Sequence, residues 1–355
     1  MLNNANMKQI SLIILTSFLF FNISCNKPDN VQVPTNVWQK LNTPFFGKPL
    51  DIKFISADTG YILGAKYSDD SIYNILVKTN DGGQTWQSIE YTNHKFLTDT
   101  SGGTMNLIYV SPFNSNIVFS GGNLNLLRST DGGYHWQRVD TVNRQGGPLM
   151  HFFDPVNGVC AGGEQAAKTT DSGYNWSRTF FQQSLVFLHL LQFTSKQVGY
   201  IAGGFQFDGN SGGSLVKTTD GGNTWQMINY PFDDILSISF VNDNIGYISM
   251  LTESGNIGST QVGSKFIKTT DGGNTWQVIA QTPNDNKSKD NTYTSIYFQT
   301  ELEGFAINPK GIFHTTDGGN TWKQEHSGFM NFICFPDAHT GYVIDTGGVV
   351  YKRIL

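Results

Sequence analysis

The residues best suited to chemistry in this 355-residue chain are six aspartates, each set among hydroxyls and glycines. They stand in TNDGGQTW at 79–86, STDGGYHW at 129–136, TTDSGYNW at 169–176, and TTDGGNTW at 218–225, 269–276 and 315–322. An Asp beside a Thr or Ser hydroxyl suits a general acid, a base or a metal ligand. Hydrolytic chemistry needs convergence, as when two carboxylates face each other across a cleft. Each copy holds a single Asp (Asp81, Asp131, Asp171, Asp220, Asp271 or Asp317) and lacks the alternating acids of a calcium loop. The seven histidines show no HxxxH or HExxH spacing, and neither a GxGxxG after a strand nor a GxxxxGK[ST] occurs. The sequence therefore assigns no catalytic residue, no metal and no cofactor.

The repetition itself is the stronger signal. Six of the seven tryptophans close a copy of the motif: Trp86, Trp136, Trp176, Trp225, Trp276 and Trp322. Trp38 alone has no motif before it, and successive tryptophans are 40 to 51 residues apart. A fixed period of that size belongs to a solenoid, an array or a propeller. Each motif lies between two strand-like runs, so it reads as a hairpin turn. The glycines permit positive φ, the Asp accepts N–H groups from the residues that follow, and the Trp packs on the next hairpin.

The positioning elements follow from the same count. Short runs ending in an aromatic begin at 50, 105, 149, 189, 236, 294 and 331, most of them followed by Gly and a second apolar strand. Each unit reads strand, turn, strand, loop, strand, Asp turn, strand. Seven such units predict an all-β, seven-bladed β-propeller over residues 36–355. The C-terminal run VVYKRIL at 349–355 resembles the strand that precedes each Asp turn, yet the chain stops there. The strand around Trp38 supplies the missing piece, so an N-terminal strand should complete the last blade and close the ring. No helix is expected to be prominent, because no stretch after the N-terminal segment keeps a 3.6-residue period with caps.

The pattern S/T-x-D-x-G-x-T-W resembles the Asp-box, or BNR, repeat over nearly all of 36–355. With the GYIAGG-type runs between the boxes, the chain is most similar to the photosystem II stability/assembly factor family of propellers. The resemblance implies a structural turn in each box and a non-catalytic binding platform, with secreted or lipid-anchored members. Sialidases share the box but hold substrate with three convergent arginines. Only five arginines occur, at Arg128, Arg138, Arg144, Arg178 and Arg353. Four fall beside motifs or on outer strands expected at the perimeter, and only Arg144 falls on a loop of the opposite face. Sialidase activity is not expected. A surface glycan-binding protein or glycoside hydrolase is the alternative to a protein-binding scaffold.

The N-terminus reads separately. Lys8 precedes an apolar run from Ile10 to Ile23, which is short for a membrane span and suits a signal peptide over residues 1–24. Ile23-Ser24-Cys25 resembles a lipobox, which makes Cys25 the expected lipidation site and 25–35 a polar tether. The expected location is the bacterial cell envelope, lipid-anchored on the periplasmic or surface side of the outer membrane. Cys160 and Cys334 fall on separate units and read as buried free thiols.

Asp turns mark one face, so binding is expected on the other, where loops join successive blades and link strands two and three. The candidates there are Arg144, Phe180, Phe181, Phe205, Phe207, Asp208, Tyr230, Phe232, Asp233, Asp234 and Glu253, with the aromatics read either as exposed contacts or as folded back over blade edges. The formal net charge of −5 argues against nucleic acid. The expected partner is a protein or a surface glycan, bound by a monomer that meets the membrane only through its lipid.

Overall fold

The computed structural model describes residues 37–354 apart from 44–46, 69–70, 90–106, 122–125, 140–148, 163–164, 182–187, 208–209, 254–261 and 282–291. The described chain is all strand and turn, arranged as seven four-stranded antiparallel sheets that form a seven-bladed propeller. The innermost strands of blades 1 to 7 are Lys48–Phe54, Leu107–Val110, Leu149–Phe152, Leu188–Phe193, Asp234–Phe240, Ser295–Phe298 and Met330–Cys334. They coincide with the seven aromatic-ended runs of the sequence. Cys25 and residues 1–36 lie outside the described residues.

Ring closure follows the expected route. The strand Gln39–Lys40 pairs antiparallel with Val350–Ile354, placing Gln39 opposite Lys352 and Lys40 opposite Tyr351. Blade 7 thus takes three strands from the end of the chain and its outermost strand from the beginning. No blade is left with an unfilled place for a neighbour to pair with.

The core lies between blades, because each sheet exposes two apolar faces and only another sheet can cover them. Among the described residues strand two of each blade is largely buried, as in Gly158–Gly162 and Gly304–Asn308. Around the channel, side chains of one innermost strand cap the free edge of the next. Phe152 N–H donates to Tyr109 Oη (3.1 Å), Phe240 N–H to Gln192 Oε1 (2.8 Å), Phe298 N–H to Ser239 Oγ (2.7 Å) and Phe54 N–H to Cys334 Sγ (3.4 Å). The last of these joins blade 7 to blade 1. Cys160 is fully buried and Cys334 half-buried, both as free thiols.

Candidate functional site

The Asp turns are self-contained. Thr79 Oγ1 donates to Asp81 Oδ1 (2.8 Å) and accepts from Gly83 N–H (2.9 Å), while Thr85 N–H donates to Asp81 Oδ1 (2.9 Å). The same three bonds recur at Asp131, Asp171, Asp220, Asp271 and Asp317. Hydrogen bonds from the Thr85 hydroxyl and N–H hold Asp81 down to about 2, and Thr275 does the same for Asp271. A carboxylate so well supplied with donors keeps its charge and is a poor proton acceptor.

Both glycines are needed, and an added Cβ on Gly82 would lie 2.8 Å from Ala57 O. Gly82 and Gly83 both have positive φ, at 71° and 86°. In addition, a Cβ on Gly83 would lie 2.6 Å from Leu41 Cδ1 of blade 7, so the turn sits flush against the preceding blade. The tryptophans pack inward along their own blade. Trp86 meets Phe54 edge-on at 6.0 Å, and Trp322 meets Phe298 at 6.0 Å. Trp86 Nε1–H donates to Gly83 O at 3.1 Å, which ties the ring back to its turn.

A second repeated pair staples one blade to the next on this face. The residue after the Gly of strand two lies opposite the residue before the box Thr: Tyr61 with Lys78, Tyr200 with Lys217 and Tyr247 with Lys268; in blade 7, which has no box, Tyr342 lies opposite Lys352. Each Lys ammonium lies over its Tyr ring, 5.3 to 5.6 Å from the centroid. Each Tyr hydroxyl donates into the next blade, as Tyr200 does to Asp243 O (3.2 Å) and Gly272 O (3.2 Å). In blade 2 the pair is Phe119 with Arg128, in blade 6 Phe305 with His314, and in blade 3 Val159 with Lys168.

Two arginines expected at the perimeter are found buried instead. Arg128 Nε–H donates to Ser172 O (3.0 Å), and Arg353 Nη1–H donates to Glu325 Oε2 (2.6 Å). They fill seams, because a guanidinium reaches a carbonyl or carboxylate across the gap that Lys and Tyr fill elsewhere. They belong to different seams and do not converge.

The channel holds a polar cavity that the sequence did not single out. It measures about 210 Å³ and is bordered by Asp51, Lys53, Tyr109 and His189. Asp51 is buried, accepts N–H groups from Ile52 (2.8 Å) and Ile108 (3.1 Å), and lies 3.9 Å from Lys53 Nζ. Burial raises the Asp51 carboxyl, opposed by Lys53 and the two N–H donors. His189 is exposed in this channel. His151 is half-buried between the rings of Phe153 and Phe193, and burial lowers it to about 4.

Three of the candidate aromatics are folded back over neighbouring rings, the second of the two courses open to them. Phe232 is 6% exposed and meets Trp276 at 5.8 Å; Tyr230 is half-buried beside both, 4.8 Å from Phe232. Phe181 lies against Trp225 at 6.3 Å. These linker residues cover neighbouring tryptophans, since leaving both rings in water would forfeit apolar burial. Asp233 accepts from Lys265 Nζ at 2.7 Å, and Asp234 begins the innermost strand of blade 5 opposite Leu251. Arg144 and Asp208 lie outside the described residues, as do the side chains of Phe180, Phe205, Phe207 and Glu253. On the linker face Phe329 is an exposed aromatic, 65% accessible between Gly328 and Met330, which the sequence reading passed over.

The sequence profile of photosynthesis system II assembly factor YCF48 matches residues 31–179 and 223–327, more than half of the chain. No curated protein sequence matches it. Among solved structures, YCF48 bound to D1 peptide is similar at 20% identity and a TM-score of 0.65, over 90% of this chain and 97% of that one. YCF48 from Cyanidioschyzon merolae is similar at 19% identity and a TM-score of 0.62, over 89% and 98%. The GH74 enzyme of Niastella koreensis is similar at 22% identity and a TM-score of 0.60, over 86% of this chain but only 51% of that one. At these identities the structural likeness shows the fold alone.

Proposed function

The chain belongs to the photosynthesis system II assembly factor YCF48 family, and from that premise we propose that it is a protein-binding or assembly scaffold rather than an enzyme. One observation carries the reading. All six repeated carboxylates are consumed by their own turns, each bonded to a Thr or Ser hydroxyl and to the N–H four residues on. The relative bound to D1 peptide supports a polypeptide as the class of partner. The scaffold acts as a monomer held by lipid on Cys25 at the bacterial cell envelope, on the periplasmic or surface side of the outer membrane.

The test uses the full-length chain recovered from envelope membranes. A defined polypeptide should co-purify in stoichiometric yield. Hydrolysis of a glycan in a turnover screen, abolished by substituting one loop acid, would overturn the reading in favour of a glycoside hydrolase.

A further inference from the structure

We propose that the seam between blades 3 and 4 is a binding site for a tyrosine side chain supplied by a partner polypeptide. The argument comes from the repeat. At four seams the position after the strand-two Gly is a tyrosine of this chain: Tyr61, Tyr200, Tyr247 and Tyr342. Its ring is overlaid by a Lys, and its hydroxyl donates to a turn carbonyl of the next blade. Blade 2 fills the position with Phe119, and Arg128 supplies the bond to Ser172 O. Blade 6 fills it with Phe305, stacked on His314 at 4.5 Å. Only blade 3 has an aliphatic residue, Val159.

The consequence is visible in space. A Cβ placed on the first box glycine meets a tyrosine hydroxyl at 3.3 to 3.5 Å on Gly82, Gly132, Gly272 and Gly318. On Gly221, the same position in blade 4, it meets only Lys196 O, at 2.9 Å. Lys196 O corresponds to Asp243 O, which Tyr200 bonds one blade further on. Lys168, with no ring to overlie, reaches across the mouth of the seam, its ammonium donating to Asn223 Oδ1 of the blade 4 box at 2.8 Å.

What remains is a cleft of about 350 Å³ bordered by Phe153, Gly158, Lys168, Lys196, Gln197 and Gly221, among others. That volume falls within the range of small-molecule sites. Phe153 meets Phe193 edge-on at 4.8 Å, so it lids the apolar floor and leaves the hydroxyl end of the missing side chain vacant. The cleft offers an aromatic wall, alkyl lysine stems, an ammonium and the Lys196 carbonyl as acceptor. A phenol fits this set, because one end needs an apolar face and the other a donor. The site lies on the Asp-turn face, opposite the loops expected to bind.

The source of the ring rests on the protein-binding reading; the cleft does not, and the two fail separately. The cleft is tested by titrating the full-length chain with p-cresol and with toluene, following backbone amide shifts. Shifts should concentrate at Lys196, Gln197 and Gly221, and p-cresol should bind about tenfold tighter than toluene, the value of one net hydrogen bond. Equal binding of the two, or shifts elsewhere, would overturn the site. Val159→Tyr should restore the staple, abolish p-cresol binding and leave the other seams unshifted; retained binding in the folded variant would overturn it. If that variant does not fold, the wild-type shift map alone decides. A capped Gly-Tyr-Gly peptide should compete with p-cresol while Gly-Ala-Gly does not. Binding of p-cresol without competition by the tyrosyl peptide would overturn the polypeptide source.

Discussion

Trp38 donates its indole N–H to Glu325 Oε2 at 3.1 Å across 287 positions of sequence. It is the one Trp that no box precedes, and the outermost strand of blade 6 supplies the acceptor. Glu325 also bonds Arg353 Nη1 (2.6 Å) and faces His314 Nδ1 (3.0 Å). Burial raises the Glu325 carboxyl, but the His314 hydrogen bond and the Arg353 charge outweigh it and hold the group below its usual range.

Removing this acceptor should open the closure. Glu325→Ala leaves the buried Arg353 without its carboxylate and should destabilise the ring by about 3 kcal/mol or more. Denaturant midpoints of Glu325→Ala, Trp38→Phe and their double mutant measure the coupling. Additive effects would show that the indole bond and the closure are independent.

The box carboxylates should matter for stability and equally in every blade. Asp220→Ala and Asp271→Ala each remove the acceptor of a turn N–H and two hydroxyls, and each should cost about 1–3 kcal/mol. Equilibrium unfolding checks this. A substitution that abolishes partner binding while leaving stability unchanged would make that Asp functional.

The second box glycine should tolerate no side chain. Gly83→Ala combines a φ of 86° with a 2.6 Å approach to Leu41 Cδ1, and should cost about 2–3 kcal/mol. Gly212 has nothing within 4 Å of an added Cβ and no positive φ, so Gly212→Ala should be near neutral. Paired thermal melts compare the two.

Stability should fall as pH is lowered from about 6.5 to about 4 through His151. Burial places its folded value near 4, below the ordinary 6.5, so the unfolded chain takes up the proton first. The contribution is fully present above 6.5, and its loss through that window is about 2 kcal/mol after allowance for partial exposure. Urea midpoints measured against pH for wild type and His151→Gln isolate it; identical slopes would show that His151 is not the titrating group.

Replacing the expected lipidation site should free the protein from the envelope. Cys25→Ser should move it to the soluble fraction with no change in its melting curve. Continued labelling by a fatty-acid probe would rule out Cys25 as the anchor point.

The architecture was legible because the repeat carries its own punctuation. Each box fixes a hairpin, each Trp counts a blade, and the unmatched Trp38 and Val350–Ile354 identify the closing pair. The candidate surface was less legible. Tyr230, Phe232 and Phe181 have a composition that suits an exposed contact as well as a buried cover. Only the positions of Trp276 and Trp225 decide between them. The vacant seam did leave a trace, since GVCAGG at 158 puts Val159 where every other blade has Tyr or Phe. Its meaning needed the paired Lys, which the hairpin brings opposite but the sequence separates by nine residues or more.

The closing strand also sets an order of events. Lys40 cannot meet Tyr351 until the chain between them, 311 positions long, has been made and, if exported, delivered. Until then blade 7 lacks its outer strand and Trp38 has no cover. Joining ends so far apart carries a loop-closure cost that grows only slowly with length, so the delay is kinetic more than energetic. A nascent or partly translocated chain therefore presents an open, adhesive edge, which only the pairing of Gln39–Lys40 with Val350–Ile354 removes.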